Sequence, residues 1–286
     1  MVGIVLSAPY IKKILNSYYL WFGLGLSLLI YLIVCRFGLG WSEYINSSNH
    51  SDIQTSRAFL LDMCPFLALS ICFCAVVDPS RKLIKILAPF AIFGGWITII
   101  TIAAGDNEVP ELTFKYIFVG TSLNPMYFMM HFINVEIGTL AIVANPRFNK
   151  NDLIDCHLFA IFYFLYLFIF HFGLGVEQNI TGVSSYDWQY GEYSGVGIAL
   201  GLSVNQWIIT AVLGYAGAYV AIVLIIYLSS LLLKITRYHF CNQPRKRFVT
   251  QIKHGYYDLS AKKDKLTSPH FLIKWWMFLT SEIKKI

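Results

Sequence analysis

Six apolar runs of about 20 residues dominate this sequence and limit what it can fold into. They lie at 18–38, 58–77, 84–104, 125–144, 153–173 and 206–233. An α-helix rises about 1.5 Å per residue, so about 20 residues cross a hydrocarbon core roughly 30 Å thick. Hydrophobic residues make up 57% of the chain and charged residues 13%, which excludes an ordinary soluble domain. The sequence therefore predicts an all-α polytopic membrane protein, a bundle of about six transmembrane helices.

The placement of basic residues predicts the orientation of the chain. Of the 22 Lys and Arg residues, all but Arg36, Arg57 and Lys115 lie in the N-terminal arm, the loops around Arg81 and Arg147, or the C-terminal tail. An excess of Lys and Arg is typical of the cytoplasmic side. We therefore expect a multi-pass protein of the cell membrane with both termini in the cytoplasm. It divides into an N-terminal arm (1–17), a transmembrane domain (18–233) and a basic tail (234–286).

The basic tail indicates which partners to expect. It carries most of the excess behind the formal net charge of +6, and basic cytoplasmic flanks usually meet anionic lipid. The charge therefore predicts membrane lipids, or a protein complex formed through the tail, and no nucleic acid. Residues 270–279 are too short to span and suit an amphipathic helix lying on the membrane. The six cysteines show no paired framework, so no disulfide is predicted.

The segments between the spans differ in character. Residues 41–57 are polar and rich in Asn and Ser, which is typical of a surface loop. Residues 112–123 are apolar but too short to span, which favours an interfacial or re-entrant piece. Asn124 and Pro125 are the expected N-cap and first residue of the fourth helix. The Gly-rich, aromatic loop 173–205 either lies over the outer end of the bundle or is an unstructured surface loop.

Ionisable residues within spans are costly and therefore indicate candidate functional sites. Five qualify: Asp62, Cys64, His131, Glu136 and His171. Cys64 and His131 stand out because each lies six residues from the expected outer end of its span, at Ala58 and Pro125. That spacing corresponds to a depth of roughly 9 Å for both. Equal depth is what a reacting pair requires.

The chemistry of such a pair is nucleophilic. A histidine that takes or stabilises the proton of a thiol makes the sulfur a strong nucleophile. His171 is a candidate third member, and Asp62 is a candidate for orienting a donor. One face of the fourth helix is polar and must meet protein or water; it carries Asn124, Tyr127, His131 and Asn134.

Two other interpretations of these residues stay open. A zinc site from Cys64, His131 and His171 lacks a motif spacing, so neither metal nor cofactor is predicted. A buried cysteine and a helix-packing histidine explain the same residues without any chemistry.

The motifs also carry a resemblance to a known family. The segment Leu60-Leu61-Asp62-Met63-Cys64, the later Met130-His131-Phe132, and an aromatic span ending in Gly173-Leu174-Gly175 resemble the YwaF-type integral membrane family. That family includes a eukaryotic transmembrane acyltransferase acting on ether phospholipids. The likeness covers residues 58–233 and implies that Cys64 and His131 carry acyl transfer. The chain departs from the family in Asp62-Met63, in its long basic tail and in its Gly-rich outer loop.

Two functions from different classes follow from these observations. The first is a lipid acyltransferase, or another thioester-forming enzyme, in which Cys64 is acylated, His131 acts as acid and base, and Asn124 or Tyr127 steadies the oxyanion. The alternative is a noncatalytic membrane subunit or anchor of a larger complex, whose tail binds partners or anionic lipid. A transporter is disfavoured because the sequence shows no inverted repeat.

Overall fold

Helices dominate the computed structural model, which describes residues 14–103, 113–120, 126–145 and 147–240. No β-strand occurs in these ranges. The α-helices in chain order are α1 (Tyr18–Leu32), α2 (Gly38–Asn46), α3 (Asp52–Phe59), α4 (Met63–Val77), α5 (Lys82–Ala103), α6 (Phe114–Phe118), α7 (Tyr127–Ala144), α8 (Lys150–Leu174), α9 (Ser185–Gln189), α10 (Ser194–Ala199) and α11 (Trp207–Phe240). Ile33–Phe37 form a π-helical segment between α1 and α2, and Val204–Gln206 form a 3-10 turn before α11.

Six helical stretches in the described residues are long and apolar enough to cross a membrane. They are residues 18–37, 52–77, 82–100, 127–144, 150–174 and 204–231. The prediction of six apolar helices is thereby confirmed. Residues 1–13, Asn124, Pro125 and the tail from 241 onward, with its expected amphipathic segment, lie outside the described residues.

The core of the unit that ends at Leu233 lies where α4, α5 and α7 pack together. Its buried apolar residues include Leu67 and Ile71 of α4, Ala91 of α5, and Met130 and Ile137 of α7. Helix α1 packs against α4, and α8 packs against α5. Many apolar side chains of α8 and α11 are exposed, as expected for helices that face lipid or a partner.

Glycines allow α5 to approach its neighbours closely. A Cβ atom built on Gly95 would lie 2.6 Å from the His131 carbonyl oxygen of α7, and one on Gly94 would lie 3.0 Å from Cys64 Sγ of α4. Gly138 of α7 meets α5 in the same way, because its Cβ would lie 3.0 Å from the Ala88 carbonyl oxygen. Small residues at such contacts let helix backbones come together. The glycine pair 94–95 is therefore the point where three helices meet.

The prediction of a surface loop at 41–57 is wrong for most of these residues, which are helical. The first helix continues through the π-helical segment into α2, and α3 begins at Asp52, which leaves only residues 47–51 between them. Trp41 Nε1 donates to the Ala58 carbonyl at 2.9 Å and ties α2 to α3. Ser51 and Gln54 form a capping box at the start of α3, a pattern that stabilises helix N-termini.

The second span is broken, contrary to the expected continuous helix from Ala58 to Val77. Helix α3 ends at Phe59, Leu60 adopts the left-handed conformation (φ 55°, ψ 45°), and α4 begins at Met63 with Asp62 as its N-cap residue. Asp is a preferred N-cap residue, and proline is tolerated in a first turn, where Pro65 lies. The local sequence thus favours a new helix that begins at Met63. Pro65 then lies in the first turn of that helix and does not interrupt it.

A buried ion pair joins α5 to α8 at the opposite end of the bundle from Cys64. Lys85 Nζ lies 2.6 Å from Asp152 Oδ2, and both side chains are almost fully buried. Lys85 also donates to the Arg147 carbonyl and lies 4.9 Å above the ring of Phe148. Asp152 in turn accepts from the N–H of Asn149 at 2.8 Å. These bonds satisfy both charges, which offsets the cost of burying them.

Candidate functional site

Cys64 lies at the very beginning of a helix. It is the second residue of α4, and only 8% of it is exposed. The first turn of a helix has N–H groups without partners in the helix and carries the positive end of its dipole. The sequence predicts Cys64 inside a continuous helix. It lies instead in the first turn of α4, near the positive end of the helix dipole.

The break before Cys64 is held by residues from distant parts of the chain. Thr181 Oγ1 accepts from the Met63 N–H at 2.9 Å and lies 3.0 Å from the Leu61 carbonyl oxygen. Tyr163 OH of α8 lies 3.0 Å from the same carbonyl and 2.8 Å from Thr181 Oγ1. One turn further along α8, Tyr166 donates to the Phe59 carbonyl. Carbonyls on both sides of the left-handed residue are thus paired.

His131 is oriented by its own helix. Its Nδ1 lies 2.6 Å from the Tyr127 carbonyl oxygen, and the residue is 2% exposed. A carbonyl only accepts, so Nδ1 must carry the proton of this hydrogen bond. In neutral His131 the other nitrogen, Nε2, is then the basic one. The ring of Tyr127 meets that of His131 edge-on, with centroids 4.7 Å apart.

Asn134 joins the helix that carries His131 to the helix that carries Cys64. The residue is fully buried, and its Nδ2 donates to the Cys64 carbonyl at 3.0 Å. Its Oδ1 has no hydrogen-bond partner among the described residues. Asn134 follows His131 by three residues, so both lie on one face of α7, roughly 4.5 Å apart along the axis. Asn134 therefore turns this part of the polar face towards the start of α4.

The side chains of Cys64 and His131 have different neighbours. Cys64 Sγ lies against Gly94 and interacts with the hydroxyl of Thr98 on α5. His131 instead interacts with Tyr127 and with the charge of Arg36. Both residues therefore lie against the glycine pair of α5. The thiol of Cys64 lies against Gly94, and the backbone carbonyl of His131 lies against Gly95.

Arg36 also belongs to the site, although in sequence it stands out only as a basic residue on the predicted outer side. It lies in the π-helical segment after α1, and its charge interacts with Asp62, Cys64 and Tyr127 as well as with His131. An arginine inside an apolar run is itself a signal of a functional site. The structure thus brings the start of α4 and the helix α7 together at one cation, and Asp62 supplies an opposite charge.

Residues 175–203, which we call the cap, form a folded structure and not an unstructured loop. Asp187 accepts from the N–H groups of Asn179, Ile180 and Gly182 at 2.9, 3.1 and 3.0 Å. Burial raises the pKa of Asp187, while these three donors act in the opposite direction. Trp188 Nε1 donates to the Gly182 carbonyl at 2.5 Å. The cap is therefore organised around one buried carboxyl group.

The cap lies over the end of the bundle that contains Cys64. The Glu177 N–H donates to Asp52 Oδ2 at 2.8 Å, and Ser56 of α3 donates to the Asn179 carbonyl. Burial raises the pKa of Tyr193 well above its ordinary value, and the charge of Asp62 raises it further. Tyr193 therefore stays neutral, and its ring packs beside that of Trp188, with centroids 5.1 Å apart.

The remaining predicted site residues have structural partners of their own. His171 Nδ1 bonds to the Val176 carbonyl at 2.9 Å, and its charge interacts with Asp187, so it supports the cap instead of joining Cys64. No group of three or more metal-binding side chains occurs in the part of the chain that the structure describes. The open zinc interpretation therefore gains no support from Cys64, His131 and His171.

Comparisons with known proteins find relatives whose function is not described. The chain is 32% identical over 234 residues to the uncharacterized protein MG135 of Mycoplasma genitalium, covering 78% of this chain and 82% of that protein. It is 31% identical over 181 residues to the MG135 homolog of Mycoplasma pneumoniae, covering 60% and 61%. No solved structure matches. The resemblance to the YwaF-type family stays a prediction. The model of a family of unknown function, DUF5378, matches residues 1–265, and the chain belongs to that family.

Proposed function

We propose that this protein is a multi-pass protein of the cell membrane that transfers acyl groups between membrane lipids through a thioester on Cys64. Both termini would face the cytoplasm, and the cap would face outward. The proposal is carried by the hydrogen bond from Asn134 to the Cys64 carbonyl, 3.0 Å long. It sets the polar face of α7, with His131, against the helix start that bears the thiol.

The first half of the reaction forms the thioester. His131 Nε2 takes the proton of Cys64, and Sγ attacks the ester carbonyl carbon of a lipid acyl chain. The bond between carbon and sulfur forms, and the bond between the carbonyl carbon and the alcohol oxygen breaks. The departing alcohol takes the proton from Nε2. Tyr127 and Arg36 line the site where negative charge develops on the carbonyl oxygen.

The second half restores the enzyme. A hydroxyl group of an acceptor lipid attacks the thioester carbonyl, and its proton passes to His131 Nε2. The bond between carbon and sulfur breaks, a new ester forms, and the proton returns to Cys64. One feature supports His131 as the acid and base: its Nδ1 donates to the Tyr127 carbonyl, which leaves Nε2 as the basic nitrogen. Neither half requires a cofactor.

The proposal is tested by labelling Cys64 in native membranes with an alkyne-tagged, long-chain alkyl iodoacetamide. We expect a labelled band that disappears in Cys64→Ala. Cys156→Ala is the matched control, because Cys156 is also buried but interacts with the Ile86 carbonyl elsewhere in the bundle. His131→Gln should slow labelling by about 100-fold or more, the usual contribution of a general base. Labelling that survives Cys64→Ala would defeat the proposal.

One observation favours the noncatalytic alternative. The thiol of Cys64 occupies a tight contact against Gly94 and Thr98, which is also how purely structural cysteines pack. A noncatalytic subunit would keep its stability and its partners in Cys64→Ala and His131→Ala. Size measurements on the purified protein in detergent separate the two functions, because only the subunit is expected in a larger assembly.

A further inference from the structure

Thr181 takes the place of an N-cap residue for the helix that carries Cys64, although it lies 118 positions away in the chain. Its hydroxyl accepts from the first N–H of α4, that of Met63. The same hydroxyl contacts the Leu61 carbonyl, which lies within the break, and the hydroxyl of Tyr163. One side chain therefore joins the break in the second span to the start of α4.

The backbone of Thr181 also has hydrogen-bond partners around it. Its carbonyl accepts from Tyr215 OH of α11 at 2.9 Å. Its φ angle is 55°, a left-handed value that is a genuine outlier for a β-branched residue. The neighbouring N–H groups of Ile180 and Gly182 are bound by Asp187, which imposes this conformation. Strained residues of this kind persist where the surrounding structure determines them, and they cluster at functional sites.

We propose that Thr181 is a positioning residue for Cys64. Its hydroxyl keeps the break at 60–62 open and the start of α4 fixed, so that the thiol stays at the positive end of that helix beside the 131–134 face of α7. The cap is then part of the reactive site and not only a cover. This inference rests on the proposed function, because it assigns a role in the reactivity of Cys64.

The test compares Thr181→Val with Thr181→Ser in full-length protein in membranes. Valine keeps the β-branched shape and removes the hydroxyl, whereas serine keeps the hydroxyl. We expect labelling of Cys64 by the alkyl iodoacetamide to slow about tenfold or more in Thr181→Val and to return to within about threefold of the unmodified chain in Thr181→Ser. Thr139→Val is the matched control, since Thr139 is also buried and its hydroxyl donates within α7, to the Val135 carbonyl.

Each outcome decides the matter. If the unmodified chain is not labelled at Cys64, the proposed function fails. If it is labelled and a folded Thr181→Val reacts equally fast, or if Thr181→Ser is as slow as Thr181→Val, the positioning role is overturned while the proposed function stands. Should Thr181→Val not fold, Tyr163→Phe removes the partner hydroxyl and keeps the ring. We expect it to react several-fold more slowly, and an unchanged rate would overturn the inference.

Discussion

Replacing Gly95 by alanine would press one methyl group into a very close contact between α5 and α7. The new Cβ would lie 2.6 Å from the His131 carbonyl oxygen and 2.7 Å from Val135 Cγ2, whereas ordinary contact begins near 3.4 Å. Helix α7 would have to move away by about 0.8 Å, the difference between 3.4 and 2.6 Å. The closest obstacle is backbone, so it cannot be relieved by a change of side-chain rotamer.

The magnitude follows from two opposing effects. Overpacking of this kind costs about 1–3 kcal/mol, and alanine in place of a helical glycine returns about 0.5–1 kcal/mol. We therefore expect Gly95→Ala to lower the free energy of unfolding by about 1–2 kcal/mol. A displacement approaching 1 Å at a catalytic group can cost about 100-fold in rate, so labelling of Cys64 should slow by about tenfold or more.

The assay uses the thermal unfolding midpoint in detergent together with the labelling rate of Cys64. Gly23→Ala is the matched control, because a Cβ on this glycine of α1 meets nothing within 4 Å. It should be neutral or stabilising and should leave labelling unchanged. If Gly95→Ala proves as stable and as reactive as Gly23→Ala, the close packing of α5 on the His131 turn is not what positions the site.

Three further substitutions probe other contacts. Asn134→Leu removes the donor to the Cys64 carbonyl and should destabilise the protein by about 1–3 kcal/mol, with loss of Cys64 labelling; normal labelling would contradict the role of this bond. Lys85→Met leaves Asp152 buried without its cation and should cost about 3–5 kcal/mol, most of which Lys85→Met with Asp152→Leu should restore; thermal midpoints of single and double variants test this. Asp187→Asn should expose the cap to limited proteolysis, because an amide cannot accept from three N–H groups as a carboxylate does; a protease-resistant variant would contradict that account.

The number and type of the main helices could be predicted because an apolar run of membrane length is a strong local signal. Thr181 shows why the arrangement of the site could not be predicted in the same way. The residue that caps α4 lies far from it in sequence, within a loop whose composition left two interpretations open. The end of α3 was equally hidden, because Leu60 adopts a left-handed conformation that usually indicates glycine or asparagine.

Other features of the site have recognisable signals in the sequence. The pair Gly94-Gly95 is a typical small-residue contact between helices. Arg36 is a charge inside an apolar run, and Asp62 three residues before Pro65 has the composition of a helix start. By contrast, the pairing of Lys85 with Asp152 could not be derived, because nothing local to either residue identifies a partner on another helix.

The most direct measurement of the central claim is mass spectrometry of the Cys64 peptide after the protein is incubated with a phospholipid carrying an isotope-labelled acyl chain. The account predicts a labelled acyl group on Cys64 that hydroxylamine removes, and its absence in His131→Gln. A Cys64 peptide that stays unmodified in the unaltered protein, or that is acylated equally without His131, would contradict it.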